Sequence, residues 1–244
     1  MHLIIDRGNT RTKIALFGEG EDYDVRIIEE LTADKLCAML DRLGDEVVTH
    51  GIFASVVQDN EEVINCLEPR MELLRLTESC PLPVKNCYGS PETLGHDRIA
   101  AAVAASGIFP GSDVLSIDAG TCITYDFINS GKEYLGGGIA PGLSMRFKAL
   151  HTFTSKLPLV SLDSEVGLVG DSTANSIRSG VFNGIVAEID GIIDRYIADY
   201  PDLKIILTGG DANYFDKKLK NDIFAVPNLV LLGLKDILLY NVEK

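Results

Sequence analysis

LIIDRGNTRTK, residues 3–13, decides how this chain is to be read. An apolar run from Leu3 reaches a carboxylate at Asp6, Gly8 permits a tight turn, and Arg11 to Phe17 leaves as a second strand in the opposite direction. Backbone N–H groups exposed at such a turn can cradle phosphate oxygens, and the neighbouring aspartate can hold a cation that those phosphates share. The competing reading is a plain hairpin in which Asp6 and Gly8 serve turn chemistry alone. Residues 116–124, SIDAGTCIT, repeat the unit, with Asp118, Gly120 and Thr121 standing where Asp6, Gly8 and Asn9 stand in the first copy. Two copies at the heads of two half-chains favour the phosphate reading, because facing turns would clamp a triphosphate from both sides.

Composition sets the frame. With 244 residues, 46% of them hydrophobic, the chain can form one large domain or two medium ones. The duplication favours two, residues 1–110 and 111–244. A net charge of −14, from 36 acidic against 22 basic residues, argues against a nucleic-acid surface, and no basic patch offsets it. Five cysteines, at 37, 66, 80, 87 and 122, include no C-x-x-C pair, so neither a disulfide framework nor a zinc site is expected, and a reducing cytosol fits. The four histidines, at 2, 50, 96 and 151, lack ligand spacing. No basic-then-apolar leader and no apolar run near the ~20 residues that span a bilayer is present, which predicts a soluble intracellular protein without membrane association.

The pattern after the first turn predicts a polar loop over 18–24, a strand over 25–29, and a helix capped by Thr32 with Leu36, Met39, Leu40 and Leu43 inward and Gly44 as its stop. A strand over 47–57 follows. Asp59 and Glu62 read as a capping box for a short helix ended by Pro69, and 71–76 as the last strand of this half. Three prolines make 77–92 a long loop, which leads to an alanine-rich helix ending near Gly107. In the second half, the repeated turn is followed by a strand through Leu135, then Gly136 to Leu143, GGGIAPGL, where glycines allow close approach of a backbone or ligand. Pro141 is expected to open a helix reaching Phe153. The longest helical pattern runs over 171–200, with Ile177, Val181, Ile185, Ile189 and Ile192 on one face and Gly180 and Gly184 four apart. A strand over 203–207 then enters a second glycine turn, Thr208 to Asp211, and an apolar helix over 229–240 is expected to pack on the second half.

The two D-x-G turns, Thr93-Leu94-Gly95-His96-Asp97-Arg98, the G-G-G-I-x-P-G stretch and the late T-G-G occur in an order that resembles type III pantothenate kinases over nearly the whole chain. Each D-x-G alone is shared across a wider superfamily; T-L-G-x-D-R is what makes the match specific. The resemblance implies an α/β fold of the actin-like ATPase superfamily: two ribonuclease H-like domains, each a mixed β-sheet with helices on both faces, with nucleotide in the cleft between them. It further implies ATP-dependent phosphorylation of pantothenate to 4′-phosphopantothenate, the first step of coenzyme A synthesis. Carried over residue by residue, Asp6, Arg7, Gly8, Asn9, Thr10, Arg11, Thr12 and Lys13 hold ATP phosphates, with Asp6 near Mg2+, and Thr121 adds a further phosphate contact. Tyr88, Gly95, His96, Asp97, Arg98 and Thr173 contact pantothenate. Asp97 is the general base, and Asp118 holds a monovalent cation, K+ or NH4+. A cytoplasmic homodimer is implied, with helices of the second half at its interface.

Several of these positions have plainer readings. Asp97 in a first helical turn also offsets the helix dipole. Arg98 suits either a guanidinium fork for the pantothenate carboxylate or a structural ion pair. His96 suits a pocket rim, Tyr88 a loop anchor, and Cys122 a small core residue rather than a nucleophile. Arg7 stands where the second copy has Ala119; a charge directed at a sheet core must be paired or reach solvent. Two other functions compete: a different small-molecule kinase of the same superfamily, or a nucleotide-binding regulator without turnover.

Overall fold

The computed structural model describes residues 1–18, 23–43, 47–57, 61–162 and 165–243. In chain order the elements are β1 (His2–Arg7), β2 (Thr12–Phe17), β3 (Tyr23–Ile28), α1 (Ala33–Asp41), β4 (His50–Ser55), α2 (Glu61–Leu67), β5 (Glu72–Arg75), β6 (Lys85–Asn86) and α3 (His96–Ile108). There follow β7 (Val114–Ala119), β8 (Cys122–Ile128), β9 (Glu133–Pro141), α4 (Leu143–Thr152), α5 (Thr173–Asp199), β10 (Lys204–Thr208), α6 (Ala212–Phe215), β11 (Phe224–Ala225) and α7 (Leu229–Val242). They group into two compact units. One comprises Met1–Ile108, Lys132–Leu135 and Asn228–Lys244; the other comprises Phe109–Gly131 and Gly136–Pro227.

The first unit has a five-stranded sheet in the order β3-β2-β1-β4-β5. β1 runs antiparallel to β2 and parallel to β4, because a hairpin makes the first connection and α1 the crossover for the second. Leu3, Ile5, Ile14 and Leu16 point to one face and pack on Leu36 and Leu40 of α1 and Val63, Ile64 and Leu67 of α2. Thr32 caps α1 as its sequence predicts, its Oγ1 accepting from the Lys35 N–H at 3.3 Å. Residues 19–22 of the expected 18–24 loop, the predicted stop Gly44 and the capping residue Asp59 all lie outside the described residues.

The C-terminal helix corrects an expectation. α7 packs on α3, β1 and β4 of the first unit rather than on the second half. The reason is shape: α3 presents an unbroken run of buried alanines from Ala100 to Ala102, and α7 presents Gly233, so the two backbones close to a distance that larger side chains forbid. Two further readings change. Residues 77–92 contain β6 and the start of a 3-10 turn, Pro91–Thr93, instead of forming a continuous loop. Cys37 and Cys66 are joined by a disulfide with their Cα atoms 6.7 Å apart; α1 lies against α2, a proximity that cysteine spacing does not encode.

The second unit is built on β11-β10-β7-β8-β9, with β7 antiparallel to β8 and parallel to β10. Ile117, Tyr125 and Phe127 pack on Phe147 of α4 and on Ile177, Ile185 and Ile189 of α5. On α5 the core takes Ile193, while Ile192 is only half-buried. The triple glycine does not follow a strand but lies within β9, where a side chain at Gly137 would collide with the Tyr125 carbonyl of β8. Pro141 ends that strand, and α4 starts at Leu143 with Gly142 as its N-cap. The opening residues of β9 belong with the first unit, where Lys85 and Asn86 pair with Glu133 and Tyr134.

At the far edge of the first sheet His2 and His50 are cross-strand partners with ring centroids 5.7 Å apart. Burial, with lesser contributions from the N-terminal ammonium, His50 and Lys235, lowers the His2 pKa below its ordinary 6.5. The unfolded chain therefore takes up this proton at higher pH than the folded one. The His2 contribution to stability is complete above 6.5 and is lost as the pH falls from 6.5 toward the depressed folded value. Denaturant melts between pH 8 and 5 are expected to show a smaller loss for His2→Asn than for the wild type; parallel losses would remove His2 as a source.

Candidate active site

The first turn forms as its sequence requires. Asp6 pairs across the ladder with Lys13 and Arg7 with Thr12, and the Gly8 N–H donates to the Arg11 carbonyl at 3.0 Å, which closes the loop. Asn9, Thr10 and Arg11 are exposed at its tip, Thr12 is buried, and Asp6, Arg7 and Lys13 are half-buried. Lys13 Nζ donates to Asn228 Oδ1 at 3.4 Å. Asn228, in the left-handed region with φ 56°, immediately precedes α7. Nothing in the local pattern pointed to Asn228, because it meets Lys13 only once α7 has packed on β1.

The motif around Asp97 reaches the same sheet edge. Asp6 and Arg7 lie beside Ala54 and Ser55 in the parallel β1–β4 pair, and His96 Nδ1 is 3.0 Å from the Ser55 carbonyl oxygen. The start of α3 is thereby held beside the end of β1. The Gly95 carbonyl accepts the first helical N–H groups, from Arg98 and Ile99. Asp97 folds back over this turn, its Oδ1 accepting from the Arg98 N–H at 2.9 Å. A Cβ on Gly95 would stand 2.5 Å from that same oxygen, so glycine is what leaves room for the carboxylate. With one oxygen so engaged, the other can receive a proton.

Arg98 is only 6% exposed, and its guanidinium lies 5.5 Å over the Tyr88 ring. Tyr88 is in turn fixed by its N–H donating to Asn86 Oδ1 at 3.0 Å and by Tyr134, 6.1 Å between ring centroids. A planar cation stacked on an aromatic suits a carboxylate ligand, since the guanidinium edge remains the donor surface. Within the first unit the fold thus assembles Tyr88, Gly95, His96, Asp97 and Arg98 at the edge that carries Asp6.

In the second unit Asp118 is half-buried at the end of β7, facing Thr124 of β8 and Thr208 of β10. The Gly120 N–H donates to the Cys122 carbonyl at 2.9 Å, and Thr121 is exposed at the tip. Two glycine stretches read separately in the sequence converge here. Gly209 has φ +101°, and a Cβ on it would stand 2.5 Å from Asp118 Oδ1. Gly142 donates its N–H to the Thr121 carbonyl at 3.1 Å, and a Cβ there would stand 2.5 Å from that oxygen. Thr173, the first residue of α5, is exposed on an apolar groove of about 650 Å³ shared with Leu150, Leu157, Ile177 and Gly180. Arg146 also lines the groove; its Nη2 donates to both oxygens of Glu188, at 2.9 and 2.8 Å, and the Tyr125 hydroxyl donates to Glu188 at 3.2 Å. Burial first, and the Glu188 carboxylate second, push the Tyr125 pKa well up, so the phenol stays protonated.

Among the described residues no group of three or more His, Cys, Asp or Glu side chains forms a metal cage. Mg2+ in phosphoryl transfer is commonly held by one or two carboxylates together with substrate phosphates. Asp6, half-buried beside the first turn, fits that role.

The family model for type III pantothenate kinase matches residues 2–195. A type III pantothenate kinase of Phocaeicola vulgatus is 47% identical over 242 residues, covering 99% of each chain. One of Bacteroides fragilis is 48% identical over 242 residues, covering 99% of this chain and 98% of the relative. In fold, the chain is similar to a glucokinase from an Antarctic psychrotroph, with a TM-score of 0.53 at 10% identity over 98% of both chains. That likeness, with the two mixed sheets and their helices, gives the actin-like ATPase and sugar-kinase architecture. The chain belongs to the type III pantothenate kinase family.

Proposed function

We propose that this protein transfers the γ-phosphoryl group of ATP to the primary hydroxyl of pantothenate, giving 4′-phosphopantothenate and ADP. The observation that carries the reading is the His96–Ser55 contact, which seats Asp97 and the Arg98–Tyr88 stack at the sheet edge occupied by the Asp6 turn. Asp97 takes the hydroxyl proton as the new O–P bond forms and the bond from the γ-phosphorus to the ADP oxygen breaks. Arg98 orients pantothenate through its carboxylate, with Tyr88, Gly95, His96 and Thr173 as further contacts. Residues 6–13 and Thr121 hold phosphates through backbone N–H groups, hydroxyls and Lys13. Asp6 would hold Mg2+, which would neutralise charge on the phosphates. Asp118 is assigned to a monovalent cation, K+ or NH4+.

A homodimer through the second unit is part of the reading. Phe153, Leu168 and Val169 are 86%, 82% and 86% exposed and offer apolar surface for such a contact. Gly180 and Gly184 of α5 have nothing within 4 Å of a built Cβ among the described residues, and Gly180 lines the groove. No helix among the described residues is long and apolar enough to cross a membrane. A cytoplasmic address is supported by the need for ATP, although the Cys37–Cys66 bond runs against a reducing compartment.

The test is ADP release by the purified protein with Mg-ATP, with and without pantothenate and KCl. Turnover that requires pantothenate and rises with potassium is the expected result. Equal turnover with hexoses or acetate in place of pantothenate would reassign the acceptor. ATP binding without any turnover would leave a regulator.

A further inference from the structure

One carboxylate joins the elements that flank the second turn. Glu188 of α5 accepts both contacts from Arg146 Nη2 and a third from the Tyr125 hydroxyl of β8, the strand that leaves the turn. Arg146 uses its remaining reach on the other flank, Nε donating to the Pro141 carbonyl at 2.8 Å. The next residue, Gly142, is the one whose N–H donates to Thr121 and whose Cα lies flush on the turn. Both side chains are largely shielded, 21% and 31% exposed, so the pair is far less screened than a surface ion pair.

We infer that Glu188, acting through Arg146, is a positioning residue for ATP: it holds the β9–α4 junction against Gly120 and Thr121 and so sets where the second turn meets phosphate. Only arginine serves at position 146. Its planar fork reaches Pro141 with one nitrogen and Glu188 with another, whereas a lysine ammonium is a single point charge. A second consequence follows from Glu188 lying on α5. The helix that presents Thr173 at its first turn also anchors the phosphate turn, so the two are set by one rigid element.

This inference rests on Thr121 being an ATP contact, and it is tested by a measurement that needs no turnover. Mg-ATP affinity is measured by titration calorimetry for the wild type, Arg146→Lys, Glu188→Gln and Tyr125→Phe, with size-exclusion chromatography checking the oligomer and thermal melts the fold. Displacing a positioned group by about 1 Å can lower a rate by up to ~10²-fold, and here the displaced group would be a contact of bound ATP. Arg146→Lys and Glu188→Gln are therefore expected to weaken ATP about tenfold, and by more than they raise the pantothenate KM. Tyr125→Phe, which leaves the Arg146 arm intact, is expected to weaken ATP by less. Unchanged ATP affinity in folded Arg146→Lys and Glu188→Gln, even with lower melting temperatures, would reduce the pair to a structural brace. Equal losses for ATP and pantothenate, or a changed oligomer, would place its action elsewhere. A wild type that does not bind ATP would overturn the phosphate reading itself, and this inference with it.

Discussion

Asp97→Asn is expected to lower kcat by about 10²- to 10⁴-fold while ATP and pantothenate still bind. Asparagine keeps an oxygen that can accept from the Arg98 N–H, so the start of α3 retains its bond. What it loses is the second carboxylate oxygen, the only one left to take the hydroxyl proton. The dipole interaction of a first-turn carboxylate is worth about 0.3–1 kcal/mol, so the melting temperature is expected to fall by no more than about 4 °C. A stability change of that size cannot produce a hundredfold loss in turnover of folded enzyme. Gly95→Ala supplies the second arm, because its Cβ would stand 2.5 Å from Asp97 Oδ1. The obstacle is the end of a side chain, which can swing aside, so the expected damage is to kcat by about tenfold or more rather than to the fold. Turnover of Asp97→Asn at a rate comparable to wild type would remove Asp97 as the base and leave the kinase to be explained through another group.

Gly233→Ala is expected to be among the most destabilising single substitutions in the chain. A Cβ at position 233 would stand 2.5 Å from the carbonyl carbon of Ala100, closer still to its oxygen, and these are backbone atoms of α3. No rotamer change relieves that clash; the two helices must move apart, opening the contacts on either side. Overpacking of this kind costs about 3 kcal/mol or more, which for a chain of this size lowers the melting temperature by roughly 6–12 °C. Gly191→Ala is the control. It also lies inside a helix, α5, but nothing stands within 4 Å of its Cβ, and the gain in helix propensity should stabilise by about 0.5–1 kcal/mol. Equal and small effects at the two positions would mean that α3 and α7 do not meet at Gly233.

The contrast between those two glycines separates what is local from what is not. The turns at Asp6 and Asp118, the Thr32 cap and the long helix ending at Asp199 were legible because their causes lie within a few residues: a hydrophobic period, a side chain accepting from a nearby N–H, a glycine at a reversal. The T-L-G-H-D-R run carries Asp97 and Arg98, and the fold bonds the Arg98 N–H to Asp97 and lays the Arg98 guanidinium over Tyr88, which lies outside that run. The internal duplication points to two sheets, and two mixed sheets are found.

Other features depend on partners far along the chain, and there local pattern had no purchase. The address of α7 is not local, because its apolar face fits either unit and the alanine surface of α3 discriminates. The close approach that G-G-G permits is to the Tyr125 backbone, and it occurs within a strand rather than after one. Gly142 and Gly209 converge on the second turn, Asn228 receives Lys13, and Cys37 finds Cys66, none of which a window of sequence contains. By itself the sequence determined the turns and most of the helices, since short-range sterics and hydrogen bonding suffice for these. Only the tertiary structure decided which backbone lies against which, because close packing is settled between surfaces and not along the chain.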